Sequence, residues 1–152
     1  LLEPLDPPTY LTPMALRTIL TAPDPRLKKK SAPVAKVDDS VRQLMDDMLE
    51  TMYAAPGIGL AAPQVGLGVQ LAVIEDRSEY TAGVAAEALT ERERLPVPFM
   101  VLINPKIVEY SEETVEFFEG CLSVRGYVAL VERALEVEVS GLDETGAPAS
   151  WR

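Results

Sequence analysis

One segment constrains the fold more than any other, an amphipathic helix predicted over residues 38–53. Apolar side chains recur there at intervals of three and four residues, so they share one helical face: Val41, Leu44, Met45, Met48, Leu49 and Met52. Asp38, Asp39 and Ser40 are the candidates to cap the first turn, and Pro56-Gly57 ends the helix. Because a helix with one apolar face must bury it against another layer, we expect this face to lie in the core.

Short strands follow this helix in the sequence. They are predicted at segments 69–74, 100–103, 135–139 and 149–152. Between the first two, residues 75–98 are polar and predict a long loop with one helical turn near 84–89. Asn104-Pro105 is expected to start a turn, and segments 106–110 and 115–118 are expected to pair as a hairpin across residues 111–113. One helix followed by several strands indicates an α+β domain.

Composition limits the function classes. The 152 residues suit one domain, which we place at residues 14–152 after a proline-rich, extended tail at residues 1–13. A net charge of −10 argues against DNA or an anionic membrane as a partner, and no apolar run is long enough for a membrane helix. A single cysteine excludes an intramolecular disulfide, and the absence of histidine excludes imidazole ligands and Ser-His or Cys-His catalysis within these residues.

Cys121 lies in the segment FFEGCLSVRG, where two interpretations remain open. A lone cysteine is usually a small inert apolar residue, but Gly120 before it permits close approach of a ligand. Glu119 abuts an apolar strand and needs a partner, for which Arg133 is the candidate. Since metal sites need three or four protein ligands, Cys121 alone cannot hold a metal ion.

The segment GIGLAAPQ, residues 57–64, is the second candidate for function. It reads either as a glycine turn entering a small-residue strand or as a substrate-binding edge. Gly57 and Gly59 would let an extended peptide pair with the backbone. Gln64 offers an amide donor of the kind that stabilises an oxyanion.

These two segments together resemble peptide deformylase. GIGLAAPQ matches that family's GxGφAAxQ motif and EGCLS, residues 119–123, matches its second motif, both in the family's order after the predicted helix. The resemblance implies an α+β, peptide-deformylase-like fold and removal of the formyl group from the N-terminal formyl-methionine of polypeptides near the ribosome. It also implies a setting in the bacterial cytoplasm, a mitochondrion or a plastid.

The same resemblance assigns roles to individual residues. Cys121 would be a ligand of a divalent metal, with Fe2+ the first choice and Zn2+, Ni2+ or Co2+ the others. Gln64 and the Leu122 N–H would be the oxyanion donors. Substrate would contact Gly57, Ile58, Gly59 and Gly120, and a buried Glu119–Arg133 pair would support the loop.

The third motif of the family, HExxH, is absent from these residues. That motif would supply two histidine ligands and a glutamate acting as general acid and base. We therefore expect a partial copy of a deformylase that binds metal weakly and has little or no activity. A non-catalytic, deformylase-like interaction protein and a thiol enzyme using Cys121 alone are the alternatives.

Overall fold

The computed structural model describes residues 15–152, so the predicted tail at residues 1–13 lies outside them. Helix α1 spans Asp39–Ala54, within one residue of the prediction at each end. Asp38 is its N-cap, and the Asp38 side chain accepts a hydrogen bond from the Val41 N–H at 3.0 Å. The local periodicity and the cap were therefore sufficient to define this element.

Within residues 15–152, seven strands and a second, short α-helix follow α1. The strands are β1 Gly59–Ala61, β2 Leu71–Asp76, β3 Val97–Tyr110, β4 Thr114–Cys121, β5 Val124–Ala134, β6 Val137–Leu142 and β7 Pro148–Trp151. Five of them form an antiparallel sheet in the order β1-β2-β3-β6-β7, while β4 and β5 pair only with each other. Helix α2, Ala86–Glu91, lies in the long connection between β2 and β3. The α+β prediction is confirmed.

The core lies between α1 and the first three strands of the larger sheet. Met48 and Met52 of α1 are fully buried, as are Val73 of β2 and Ile103 of β3. Burying a side chain of this size contributes about 1.5–3 kcal/mol, so the methionine face is a major source of stability. The prediction that these methionines pack in the core is confirmed.

Strand β3 differs most from the sequence-based expectation, because it continues through Asn104-Pro105. Asn104 has a φ of 50°, and the pairing register shifts between Ile103 and Lys106, so the expected turn is a bulge. The Asn104 amide accepts from the Val34 N–H at 2.8 Å and donates to the Val34 carbonyl at 2.9 Å. These two bonds offset the strain of the left-handed backbone at Asn104.

The predicted hairpin between segments 106–110 and 115–118 is also wrong. The second half of β3 pairs with β6, and β4 pairs with β5. The turn signal at Asn104-Pro105 reflects only neighbouring residues. The path of β3 is decided by its pairing with β6, which lies in a later part of the chain.

An N-terminal segment, residues 15–37, connects the parts of the molecule. Its Leu20 N–H donates to the Gln64 carbonyl at 2.7 Å, and its Ala22 N–H donates to the Ser123 carbonyl at 2.8 Å. Farther along, Ala32 forms a parallel bridge with Val69, just before β2. The segment therefore ties the loop after β1 and the turn after β4 to the main sheet.

Asp47 of α1 fixes the start of that segment. Its buried carboxylate accepts hydrogen bonds from the Ala15 N–H at 2.9 Å, the Gln43 amide at 2.9 Å and the Arg17 guanidinium at 3.0 Å. Burial acts to raise the pKa of Asp47, but these donors outweigh it and hold the pKa below the ordinary 3.8.

Neither helix within residues 15–152 has the length and apolar character of a membrane span.

Candidate active site

Gln64 lies in the one-turn 3-10 helix Ala62–Val65 that follows β1. Its side-chain carbonyl accepts from the Ala61 N–H at 2.9 Å. Its amide nitrogen donates to the Ser123 hydroxyl at 3.0 Å and lies 3.8 Å from the Cys121 sulfur. Because both ends of the amide are held, its orientation beside Cys121 is defined.

Cys121 ends β4, immediately before a tight turn into β5. It pairs with Val124 across that turn, which places Leu122 and Ser123 at its tip. The thiol is free and exposed, whereas Ser123 is only 5% exposed. The turn is thus anchored through Ser123 and presents Cys121 to solvent.

A cleft of about 570 Å³ joins the two candidate segments. Its walls include every residue for which the resemblance predicted a catalytic, substrate or metal role: Gly57, Ile58, Gly59, Gln64, Gly120, Cys121 and Leu122. The packing at its base is close, since a Cβ at Gly57 would lie 2.7 Å from Leu122 Cδ1. The fold therefore brings the predicted residues together, while their individual roles remain predictions.

Glu119 and Arg133 form the predicted pair across β4 and β5. The guanidinium donates two bonds to the carboxylate, at 2.8 and 2.6 Å, and these lower the pKa of Glu119. The expectation that the pair is buried is wrong, because the Arg133 and Glu119 side chains are 63% and 38% exposed. The two-stranded sheet that carries them has no further strand paired to it among residues 15–152.

The described residues do not provide a complete metal site. Within residues 15–152, no cluster of three or more histidine, cysteine, aspartate or glutamate side chains is placed to hold a metal ion. Cys121 offers one thiolate, and the whole chain lacks histidine. A single thiolate falls short of the three or four protein ligands that such sites use.

Two side chains near the site, those of Ser123 and Arg125, were given no role from the sequence. Ser123, inside the EGCLS motif, orients Gln64 and anchors the turn, and its only sequence signal was its place in that motif. Arg125 lines the cleft one residue after Val124. Nothing in the sequence indicated that Arg125 would face the cleft, since its position depends on the turn geometry.

Comparisons with known proteins agree on one family. The family model for polypeptide deformylase matches residues 16–152. A peptide deformylase of Cellvibrio japonicus is 46% identical over 133 residues, which cover 88% of this chain and 69% of that protein. Chloroplastic peptide deformylase 1A of Solanum lycopersicum is 41% identical over 135 residues, which cover 87% of this chain. The chain spans about half the length of that plant relative, 49% of it.

A solved structure agrees in fold as well as in sequence. The crystal structure of Ehrlichia chaffeensis peptide deformylase in complex with actinonin is 41% identical, with a TM-score of 0.76. The match covers 90% of this chain and 74% of that one. The predicted peptide-deformylase-like fold is therefore confirmed, and the chain belongs to the polypeptide deformylase family of hydrolases.

Proposed function

We propose that this chain carries the peptide-binding cleft and part of the catalytic machinery for removing the formyl group from N-terminal formyl-methionine. The observation that carries the proposal is the contact between two distant segments. It sets the Gln64 amide 3.8 Å from the Cys121 sulfur, inside a cleft. An amide donor beside a thiolate ligand suits the polarisation of a carbonyl group at that position.

The strand edge beside the cleft supports peptide binding. β1 is the terminal strand of the five-stranded sheet, so its outer edge is not paired with another strand of that sheet. An extended substrate would add to this edge at Gly57 and Gly59, as in strand addition. Ile58 is 47% exposed and lines the cleft, where it would contact an apolar methionine side chain.

Two donors in this chain would stabilise charge that develops on the formyl oxygen. The Gln64 amide nitrogen carries two hydrogens and donates to the Ser123 hydroxyl at 3.0 Å and to the Cys121 sulfur at 3.8 Å. When a substrate binds, the hydrogen directed at the sulfur and the Leu122 N–H would act on the oxygen, and Gly120 keeps the approach free of a side chain. Glu119 and Arg133 would stiffen the neighbouring strands, as an exposed pair.

We propose Cys121 as a ligand for a divalent metal, Fe2+ first and otherwise Zn2+, Ni2+ or Co2+. Because the described residues supply this thiolate and no further ligand cluster, we expect the 152-residue polypeptide to bind metal weakly. For the same reason we expect little or no deformylation by it. Its natural substrates would be formyl-methionyl peptides near a ribosome, in a bacterial cytoplasm, mitochondrion or plastid; a chloroplastic and a bacterial deformylase are among the relatives that it matches.

A titration of the 15N-labelled chain with formyl-Met-Ala-Ser tests peptide binding separately from turnover. We expect backbone shifts confined to residues 57–59, Gln64 and residues 120–122, and a weaker affinity for Gln64→Leu. Gln70→Leu is the matched control, since the Gln70 amide bonds the Ser31 carbonyl away from the cleft. Shifts elsewhere, or equal affinity in Gln64→Leu, would contradict the proposed cleft.

Turnover is measured on the same samples with added Fe2+, Co2+ or Zn2+. Peptide binding without formate release is the result expected for this 152-residue polypeptide. Rapid metal-dependent formate release would refute the expected inactivity and leave the assignment of the cleft standing.

A further inference from the structure

Arg125 differs from the other arginines of the protein. The chain has nine arginines, all within the described residues. Seven of them form ion pairs with carboxylates, and Arg92 lies over the Phe117 ring at 5.2 Å. Among residues 15–152, Arg125 is the arginine with neither an ion pair nor an aromatic contact. It is also exposed and lines the cleft that contains Cys121.

The position of Arg125 is fixed by the backbone around it. Its neighbour Val124 pairs with Cys121, and Ser123 is tied to the Ala22 N–H at 2.8 Å and to the Gln64 amide at 3.0 Å. Gly126, with a φ of 80°, follows directly. The guanidinium is therefore attached to an anchored turn beside the cleft, rather than to a free loop.

The residues that line the cleft include no carboxylate, and Arg125 is the charged residue among them. This contrasts with the net charge of −10 on the whole chain, which disfavours the approach of an anion. At physiological ionic strength the Debye length is about 8 Å, so distant carboxylates are screened while a nearby guanidinium is not. The cleft is thus locally cationic within an acidic protein.

We propose that Arg125 is a specificity-determining residue that binds a carboxylate of the peptide in the cleft. The inference rests on the proposed function and adds a preference to it. A guanidinium presents donors that match the two oxygens of a carboxylate. That carboxylate is either an acidic side chain shortly after the methionine or the C-terminus of a short peptide.

Three peptides distinguish these sources: formyl-Met-Ala-Asn-amide, formyl-Met-Ala-Asp-amide and formyl-Met-Ala-Asn with a free C-terminus. We expect the wild-type chain to bind one or both carboxylate peptides about 2- to 5-fold more tightly than the neutral one, as for exposed ion pairs. Arg125→Gln should abolish this preference, which compares peptides within one variant and so does not depend on that variant's affinity for the neutral peptide. Arg42→Gln, with the same change in charge on the distant helix α1, should retain the ratio.

A second measurement needs no peptide. Cys121 is the single cysteine, so its alkylation rates with anionic iodoacetate and neutral iodoacetamide can be compared directly. Both reagents attack the same thiolate, so any change in the fraction of Cys121 present as thiolate cancels in the ratio of the two rates. Arg125→Gln should lower the iodoacetate-to-iodoacetamide ratio about 2- to 5-fold, and Arg42→Gln should leave it unchanged.

The outcomes separate this inference from the proposed function. An unchanged alkylation ratio and an unchanged peptide ratio in Arg125→Gln overturn the inference, even when the neutral peptide binds. If no peptide binds but the alkylation ratio falls, the proposed function fails and the local cation at the cleft is supported. A peptide preference that Arg42→Gln also loses would be an effect of net charge and would overturn the inference.

Discussion

The hydrogen bond between Gln64 and Ser123 makes a quantitative prediction. Ser123→Ala removes the hydroxyl that accepts from the Gln64 amide at 3.0 Å. Ser123 is 5% exposed, so a methyl group in its place gives water little access to the abandoned donor. The Gln64 carbonyl keeps its bond from the Ala61 N–H, while its amide nitrogen keeps only the longer, 3.8 Å contact with the Cys121 sulfur.

The expected loss of stability follows from this environment. A buried donor left without its partner costs about 1–3 kcal/mol. Because Gln64 is only partly buried, we expect the lower part of that range, about 1–2 kcal/mol. In a domain of this size each kcal/mol lowers Tm by about 2–4 °C, so Ser123→Ala should melt about 2–8 °C below wild type.

Urea unfolding followed by circular dichroism and by the fluorescence of Trp151 measures the change. Ser150→Ala is the matched control, since the exposed Ser150 hydroxyl bonds Glu138 on the neighbouring strand. That control should change the free energy of unfolding by less than about 0.5 kcal/mol. A double-mutant cycle with Gln64→Ala should give a coupling energy of about 1 kcal/mol. A coupling near zero, or equal stability of the two serine variants, would refute the role of Ser123 in holding Gln64.

Two further predictions concern the scaffold. The pKa of Asp47 lies below its ordinary 3.8 in the folded chain, so its stabilising effect is present above that pH and is lost as the pH falls below it. Asp47→Asn should therefore flatten the acid limb of a pH series of urea midpoints, and an unchanged acid limb would contradict this. Gly141→Ala would place a Cβ 2.8 Å from the Ile103 carbonyl oxygen and should cost about 1–3 kcal/mol in thermal or urea unfolding. Gly68→Ala, with open space around it, should be nearly neutral, and equal effects of the two glycine variants would count against the packing argument.

The elements predicted correctly are those whose signal is contained in a short stretch of sequence. Helix α1 carries its own periodicity and cap, and β2 carries a run of apolar residues. The path of β3 could not be predicted in this way. Its bulge at Asn104 depends on Val34, which is 70 positions away in the sequence.

The features of the candidate site could likewise be predicted only where their signal is contained in a short stretch of sequence. The two motifs and their resemblance to a known family predicted that Gln64 and Cys121 share a cleft. The exposure of the Glu119–Arg133 pair could not be predicted, because opposite charges across a strand indicate pairing and not which face is covered. Arg125 was missed because its relation to Cys121 arises only when the turn at residues 122–123 closes.

The N-terminal segment, residues 15–37, has a consequence for the order of events during synthesis. It leaves the ribosome before nearly all of its partners, including Gln64, Asn104 and Ser123. Its hydrogen bond from Ala22 to Ser123, in the turn after β4, must therefore wait until roughly 100 more residues have emerged, and contacts of such separation slow folding. Since Ser123 also orients Gln64, the cleft is completed late, when this N-terminal segment docks onto residues that are synthesised much later.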